Sequence, residues 1–251
     1  MLKTIDIEVS SYALMVVVGI IAAVWFIYCR SEFYNIKLKT LLWAALATLV
    51  GMAIGSRIVF VISQLPIAIT AQSIWWVWNS LINGGFVFYG GLFGALAGAW
   101  FAAKRMKLDT STFVNYFLPG FPVFHFFGRI GCFLAGCCYG IPFPVGIVLP
   151  EVDDQVRIPV QLIESLFNLI IVAVLLIYEE KSRKKGKSFS LLPIYLLMYA
   201  PFRFILEFFR GDELRGSFGI FSTSQWISII TIITVIVVLL IKRNKRKKLT
   251  E

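Results

Sequence analysis

Apolar stretches long enough to cross a bilayer recur along most of this chain, at about residues 11–29, 41–63, 84–103, 113–134, 160–178, 189–209 and 223–241. Hydrocarbon offers no water to backbone N–H and C=O groups, so such stretches must fold as helices that satisfy their own hydrogen bonds. The expected fold is an all-α integral membrane protein with seven transmembrane helices. The third and fourth stretches are interrupted by glycine, proline and polar residues. Of the 251 residues 59% are hydrophobic and 15% charged, too little polar surface for a soluble domain of this length.

The net charge of +10 raises the possibility of a nucleic-acid partner, but its placement points to the membrane. Arg30, Lys37 and Lys39, then Lys104, Arg105 and Lys107, then the run from Lys181 to Lys187, then the run from Lys242 to Lys248 all fall on one set of connections. The alternate side holds Lys3, Arg157, Arg210 and Arg215, a split of 17 against 4. The positive-inside rule then places the N-terminus outside and the C-terminus in the cytoplasm. Residues 1–241 read as one polytopic domain and 242–251 as a basic cytoplasmic tail facing anionic lipid, not nucleic acid. The opening Met-Leu-Lys-Thr-Ile-Asp-Ile-Glu lacks the basic-then-apolar order of a cleavable signal, so the first span is expected to remain as an anchor.

Two outer segments are longer than the rest. Residues 64–83 carry Trp75, Trp76 and Trp78 without a charge, which suits an arm lying along the outer interface. Residues 141–159 carry Pro142, Pro144, Pro150 and Pro159 with Glu151, Asp153 and Asp154, and read as an exposed, turn-rich loop.

Three basic residues, Arg57, Arg129 and Arg203, fall inside the expected spans. An arginine at membrane depth is costly and needs a carboxylate, an anionic ligand or a wet cavity. Arg129 sits in Gly-Arg-Ile-Gly-Cys-Phe-Leu-Ala-Gly-Cys-Cys-Tyr-Gly, residues 128–140. Arg203, Glu207 and Arg210 are spaced i, i+4, i+7 on one helical face. That stripe is either a self-neutralising packing device or an anion site, for which the planar guanidinium fork suits phosphate. Glu164 and Glu207 are two carboxylates against three arginines, so an anionic ligand would balance the surplus. Gln161 and Glu164 share a face at a helix start, where an acidic residue is also favoured by the helix dipole. The paired glycines flanking Tyr89, Gly84-Gly85 and Gly90-Gly91, either break the helix or let a lipid headgroup touch the backbone, or else Gly90 and Gly94 pack helices closely in the small-xxx-small manner. His125, one turn before Arg129, is a packing residue or a base. Cys132, Cys137 and Cys138 fall at the outer end of the fourth span. Packing, redox, catalytic and metal roles are all open to them, though Cys-x4-Cys-Cys is not a usual zinc spacing.

Taken in order, these segments resemble the prolipoprotein diacylglyceryl transferase family, bacterial seven-helix enzymes that move diacylglyceryl from phosphatidylglycerol to a lipoprotein cysteine. Tyr12 in Ser-Tyr-Ala-Leu-Met resembles the family's early Trp-Tyr-Gly-Leu, and Arg57 its Gly-x-Arg. Gly84-Gly85 and Gly90-Gly91 resemble its Gly-Gly-x-x-x-His-Gly-Gly, with Tyr89 at the histidine. Gly128 to Gly140 resembles Gly-Arg-x-Gly-Asn-Phe-x-Asn-x-Glu-x-x-Gly. Pro159, Gln161 and Glu164 fit its Arg-His-Pro-x-Gln-Leu-Tyr-Glu, Arg203, Glu207 and Arg210 its Phe-Arg-x-x-x-Glu-x-x-Arg, and Gln225 its last Gly-Gln. Cys132, Ala135, Cys137 and Tyr89 replace the family's two asparagines, glutamate and histidine, so the donor side of the chemistry carries over better than the acceptor side.

The resemblance implies a multi-pass enzyme of the bacterial plasma membrane. Its donor is phosphatidylglycerol or a similar anionic phospholipid, its acceptor a prolipoprotein signal peptide with its lipobox cysteine, and it needs no cofactor and no metal. Arg129 and Arg203 are the expected phosphate contacts, with Arg57, Glu207, Arg210, Gly90, Gly91, Gly140, Gln161 and Glu164 around the headgroup. Tyr12, Tyr89 and His125 are candidates for proton handling, and Cys132, Cys137 and Cys138 for shaping the pocket. The alternatives are a paralogue with the same donor and another acceptor, and a non-enzymatic lipid-binding or lipid-moving protein. The topology makes a direct expectation: reporter fusions after Lys107 and after Lys248 both give a cytoplasmic signal, and a signal from the outer side at either position overturns it.

Overall fold

The structure, a computed structural model, describes residues 10–71, 88–107, 109–150, 152–186, 188–212 and 217–248. Helix α1 spans Ser11–Cys29, a short α2 Ser31–Tyr34, and α3 Leu38–Ala71. Then come α4 (Phe88–Arg105), α5 (Thr110–Phe117) and α6 (Gly120–Leu134). A hairpin of β1 (Pro142–Leu149) and β2 (Asp153–Arg157) leads into α7 (Val160–Lys184) and α8 (Leu192–Leu206). A 3-10 turn at Glu207–Phe209 and a two-stranded ribbon, β3 (Ser217–Phe218) and β4 (Phe221–Ser222), precede α9 (Thr223–Lys248).

Among the described residues six helical stretches are long and apolar enough to cross a membrane. They correspond to six of the seven expected spans. The remaining one, α4, carries four glycines and ends on Lys104 and Arg105, which dilute its hydropathy. The fourth expected span is two helices, α5 and α6, separated near Pro119, where the missing N–H breaks the backbone ladder. Helix α3 runs past its expected end at residue 63 to Ala71, and Trp75, Trp76 and Trp78 lie outside the described residues.

Burial runs opposite to that of a soluble helix. On α7, Gln161, Glu164, Ser165 and Asn168 are buried, while Leu166, Leu169, Ile170 and Ile177 are exposed. Polar groups inside and aliphatic groups outside is the arrangement a lipid solvent selects. The protein is therefore a multi-pass membrane protein.

The chain forms two compact units, residues 1–27 with 117–251, and residues 28–116. In the second unit α3 and α4 cross so closely that backbone meets backbone. A Cβ at Gly94 would collide with the carbonyl oxygen of Gly51, one at Gly55 with that of Gly90, and one at Gly98 with that of Ala47. This is small-xxx-small packing, and it accounts for the glycines of α4. Arg30, counted above among the loop charges, is buried in this unit. It donates to the carbonyl oxygens of Tyr116 at 3.0 Å and Asn115 at 3.3 Å, satisfying the C-terminal end of α5.

In the first unit α6 packs on α7, and α8 on α9. Ile171, Leu175, Leu191 and Tyr195 form a buried cluster between α7 and α8. Residues 141–159 are not the loop expected from their prolines. They fold as an antiparallel hairpin with Val148 opposite Val156 and Leu149 opposite Asp153. A two-stranded ribbon has a free edge on each strand, so Pro142 and Pro144 cost no ladder bond. Arg157 holds its base, donating from Nε to Asp153 at 3.0 Å and from Nη1 to the Gly140 carbonyl at 3.0 Å.

Gly94→Val should destabilise the α3–α4 pair by about 1–3 kcal/mol or more, because the colliding group is backbone and cannot rotate away. A lowered thermal midpoint of the detergent-solubilised variant, beside an unchanged Ala97→Val control on the exposed face of α4, is the expected result.

Candidate active site

Arg129 on α6 points at α7. Its Nη2 lies 2.7 Å from Glu164 Oε2 and donates to Oε1 at 2.9 Å. Glu164 is only 1% exposed, so this pair is formed away from water. A buried carboxylate must have its lone pairs met. Tyr199 on α8 donates its hydroxyl to Glu164 Oε1 at 2.8 Å, and His125 Nε2 lies 3.5 Å from the same oxygen. One carboxylate on α7 thus gathers groups from two further helices, α6 and α8. Helical spacing explains the convergence: His125 and Arg129 are i, i+4 on α6, and Tyr199 and Arg203 are i, i+4 on α8.

The backbone around this centre is also fastened. Ser165 donates to the Phe126 carbonyl at 3.0 Å, and Asn168 to the Glu164 carbonyl at 2.8 Å. Gln161 donates to the Cys137 carbonyl at 2.8 Å. On the other side Arg203 pairs with Glu207 and donates to Ser224 of α9 at 3.2 Å.

Arg210 departs from the expected stripe. Helix α8 ends at Leu206, so the i+7 register is lost in the 3-10 turn. Arg210 donates to both oxygens of Asp212, at 2.8 and 2.7 Å, and does not clamp Glu207. Its backbone bridges Gly140, which brings the end of the glycine-rich segment to the end of α8. Gly140 is buried there, with no room for a Cβ beside the Ile158 carbonyl.

Among the described residues each buried arginine of this unit has its own carboxylate, and Arg57, the third arginine of the expected surplus, belongs to the other unit. What remains is unmet donors. Arg129 Nε and Arg203 Nη1 are buried with no hydrogen-bond partner. An unmet buried donor costs about 1–3 kcal/mol, which an acceptor oxygen would recover.

Cys132, Cys137 and Cys138 come together at the end of α6, their sulfurs all within 4.8 Å of one another. Arg129 Nη1 points at Cys132 Sγ from 4.0 Å. A hydrogen bond from Cys132 and the neighbouring Arg210 guanidinium favour the Cys138 thiolate and hold its pKa below the ordinary thiol value. Tyr12 on α1 is largely exposed, and its ring lies near Gly131 of α6. Arg57 on α3, and Gly90 and Gly91 on α4, belong to the other unit. There Arg57 is half-buried, and the two glycines are buried against α3. Tyr89 lies in the first turn of α4.

Tyr199 and Asp212 were not singled out from the sequence. The signal for Tyr199 was its position one turn before Arg203, and for Asp212 its place two residues after Arg210, where a short acidic side chain reaches a guanidinium.

The family model described as prolipoprotein diacylglyceryl transferase matches residues 1–241. The phosphatidylglycerol–prolipoprotein diacylglyceryl transferase of Clostridium tetani is 31% identical over 229 residues, covering 89% of both chains. A second such transferase, from Clostridium perfringens, is 32% identical over 231 residues, covering 89% of this chain and 87% of its own. The counterpart from Rickettsia bellii is 29% identical over 218 residues, covering 84% and 82%.

Glu164→Ala leaves the Arg129 charge buried without a partner and should cost about 3–5 kcal/mol. Tyr199→Phe removes one hydrogen bond to a charged group, about 1.5–3 kcal/mol. Thermal midpoints in one detergent should rank Glu164→Ala below Tyr199→Phe. The reverse order would mean that Glu164 is not the group that neutralises Arg129.

Proposed function

The chain belongs to the prolipoprotein diacylglyceryl transferase family, and from that premise we propose that it transfers the diacylglyceryl group of phosphatidylglycerol to the lipobox cysteine thiol of a prolipoprotein. The acceptor sulfur forms a bond to the glyceryl carbon that carries the phosphate. The C–O bond breaks, and glycerol phosphate leaves with the electron pair. A second negative charge develops on that phosphate as the bond breaks, so donors already aimed at it lower the barrier.

The observation that carries this reading is the pair of buried guanidinium groups with unmet N–H donors, Arg129 Nε and Arg203 Nη1. They offer a phosphate what it needs at membrane depth. Each keeps its carboxylate, so the site is neutral when empty, and the leaving group's charge is met by hydrogen bonds from fixed cations. Arg129 and Arg203 are assigned to the phosphate. Glu164 orients Arg129, Glu207 orients Arg203, and Tyr199 and Gln161 hold Glu164 and the Cys137 turn in place. His125, beside Glu164, is the candidate for moving the acceptor proton, and Tyr12 and Tyr89 are the further candidates. Arg57, Gly90 and Gly91 are assigned to the headgroup from the resemblance of their motifs, and Arg210 with Gly140 to the rim.

We place the protein in the bacterial plasma membrane with seven spans, α4 being the one beyond the six apolar stretches. The N-terminus is outside and the C-terminus cytoplasmic, on the strength of the 17-to-4 charge split.

Complementation of a strain depleted of its own diacylglyceryl transferase tests the reading as a whole: rescued growth with lipidated prolipoprotein is expected, and failure by a membrane-inserted protein rejects it. Within it, Arg129→Lys and Arg203→Lys keep the charge and lose the fork. Each should lower transfer from phosphatidylglycerol by about 10²-fold or more, the scale of losing one transition-state donor. Wild-type turnover by either variant would remove that arginine from the site.

A further inference from the structure

The turn after α6 assembles three thiols, and its backbone explains how. Gly136, at φ 63°, ends the helix in the left-handed region. The Gly136 N–H donates to the Phe133 carbonyl at 3.1 Å, and the Cys137 N–H to the Cys132 carbonyl at 3.1 Å. These two bonds are the Schellman pattern, which folds the chain back over its last turn and sets Cys137 over Cys132. Cys138 then takes φ 62°, a left-handed conformation that is uncommon for a residue with a side chain. The flanking segments fix the turn: Gln161 holds the Cys137 carbonyl, and the Gly140–Arg210 bridge holds the far end. The three sulfurs converge within 4.8 Å, and Cys137 is exposed, so the cluster is open on one side.

Three converging sulfurs open on one side is the donor set of a thiophilic cation. Tetrahedral zinc binds thiolate at about 2.3 Å, which places the sulfurs roughly 3.8 Å apart, a small contraction from the observed cluster. Three protein ligands with a fourth position free is the arrangement of catalytic zinc, whereas structural sites are closed. The cluster also adjoins the site described above, through the approach of Arg129 Nη1 to Cys132 Sγ at 4.0 Å.

We propose that Cys132, Cys137 and Cys138 bind one thiophilic divalent cation of the zinc class, and that its open position takes the acceptor thiol. The second half rests on the transferase reading. The acceptor thiol binds as thiolate and gives its proton to solvent water. Its sulfur lone pair then forms the C–S bond while the C–O bond to phosphate breaks, and the product thioether, a weaker ligand, departs. Here the cysteines supply what the family's missing asparagine and glutamate would, and the oxyanion side stays with the arginines.

The test uses the full-length protein, reduced and purified in detergent, with Co²⁺ as the probe. One equivalent of Co²⁺ should give a thiolate-to-cobalt charge-transfer band that Zn²⁺ abolishes and Mg²⁺ does not. Cys132→Ser, Cys137→Ser and Cys138→Ser should each weaken Co²⁺ binding at least tenfold, while Cys29→Ser, outside the cluster, leaves it unchanged. No band in the folded wild-type protein, a band that survives the three substitutions, or a disulfide among the three cysteines in the protein as isolated would overturn the metal site. The acceptor role is read separately. Stripping the cation should lower prolipoprotein transfer at least tenfold, with recovery on adding Zn²⁺ but not Mg²⁺. Full activity of stripped protein overturns that role whatever the cobalt spectrum shows. If instead no transfer occurs under any metal condition, the transferase reading and the acceptor role fall together, and the metal site is decided by the cobalt titration alone.

Discussion

The first unit is organised around one buried ion pair. Two opposite charges in a low-dielectric interior repay their desolvation only when geometry is good and the remaining lone pairs and protons are satisfied. Glu164 meets that condition by taking Arg129 from α6 and Tyr199 from α8, with His125 at its edge. The result fixes three helices about one carboxylate. Aliphatic packing alone specifies this poorly in a membrane, because lipid tails are as apolar as the side chains they compete with.

The same constraint explains why the site is economical in charge. Arg203 carries its own carboxylate, Arg210 has Asp212, and Arg157 has Asp153. Neutral pairs make the empty site tolerable at membrane depth, and their unused N–H groups make it ready for an anion. Arg129 and Arg203 sit in helices, whereas Cys137 and Cys138 sit in the turn that ends α6 and fold back over Cys132 in its last turn.

Much of the candidate site was legible because its cause is local. Arg129 and Arg203 stood out as charges in apolar runs, and the carboxylates were few enough to count. His125 and Arg129 share a face by spacing alone. What spacing could not reveal was how the pairs are divided. The Arg203–Glu207–Arg210 stripe assumes a helix that continues, and α8 stops at Leu206. The residues expected to form a loop at 141–159 pair as a hairpin, because prolines that argue against a central strand do not argue against a free edge. Gly90 and Gly94 have the spacing of close helix packing, but only the crossing with α3 identifies the carbonyls they approach.

The sequence by itself determined the class of molecule, the positions of most of its spans and the family to which it belongs, because hydropathy, charge asymmetry and ordered motifs are written residue by residue. Tertiary structure alone decided which carboxylate serves which arginine, that Tyr199 completes the central network, and that three cysteines with an unpromising spacing meet at one point. The physical reason is the same in each case. Ion pairs and ligand clusters depend on distances between side chains of different segments. Those distances are set by helix crossings and by a left-handed turn, which a linear pattern of residue types does not encode.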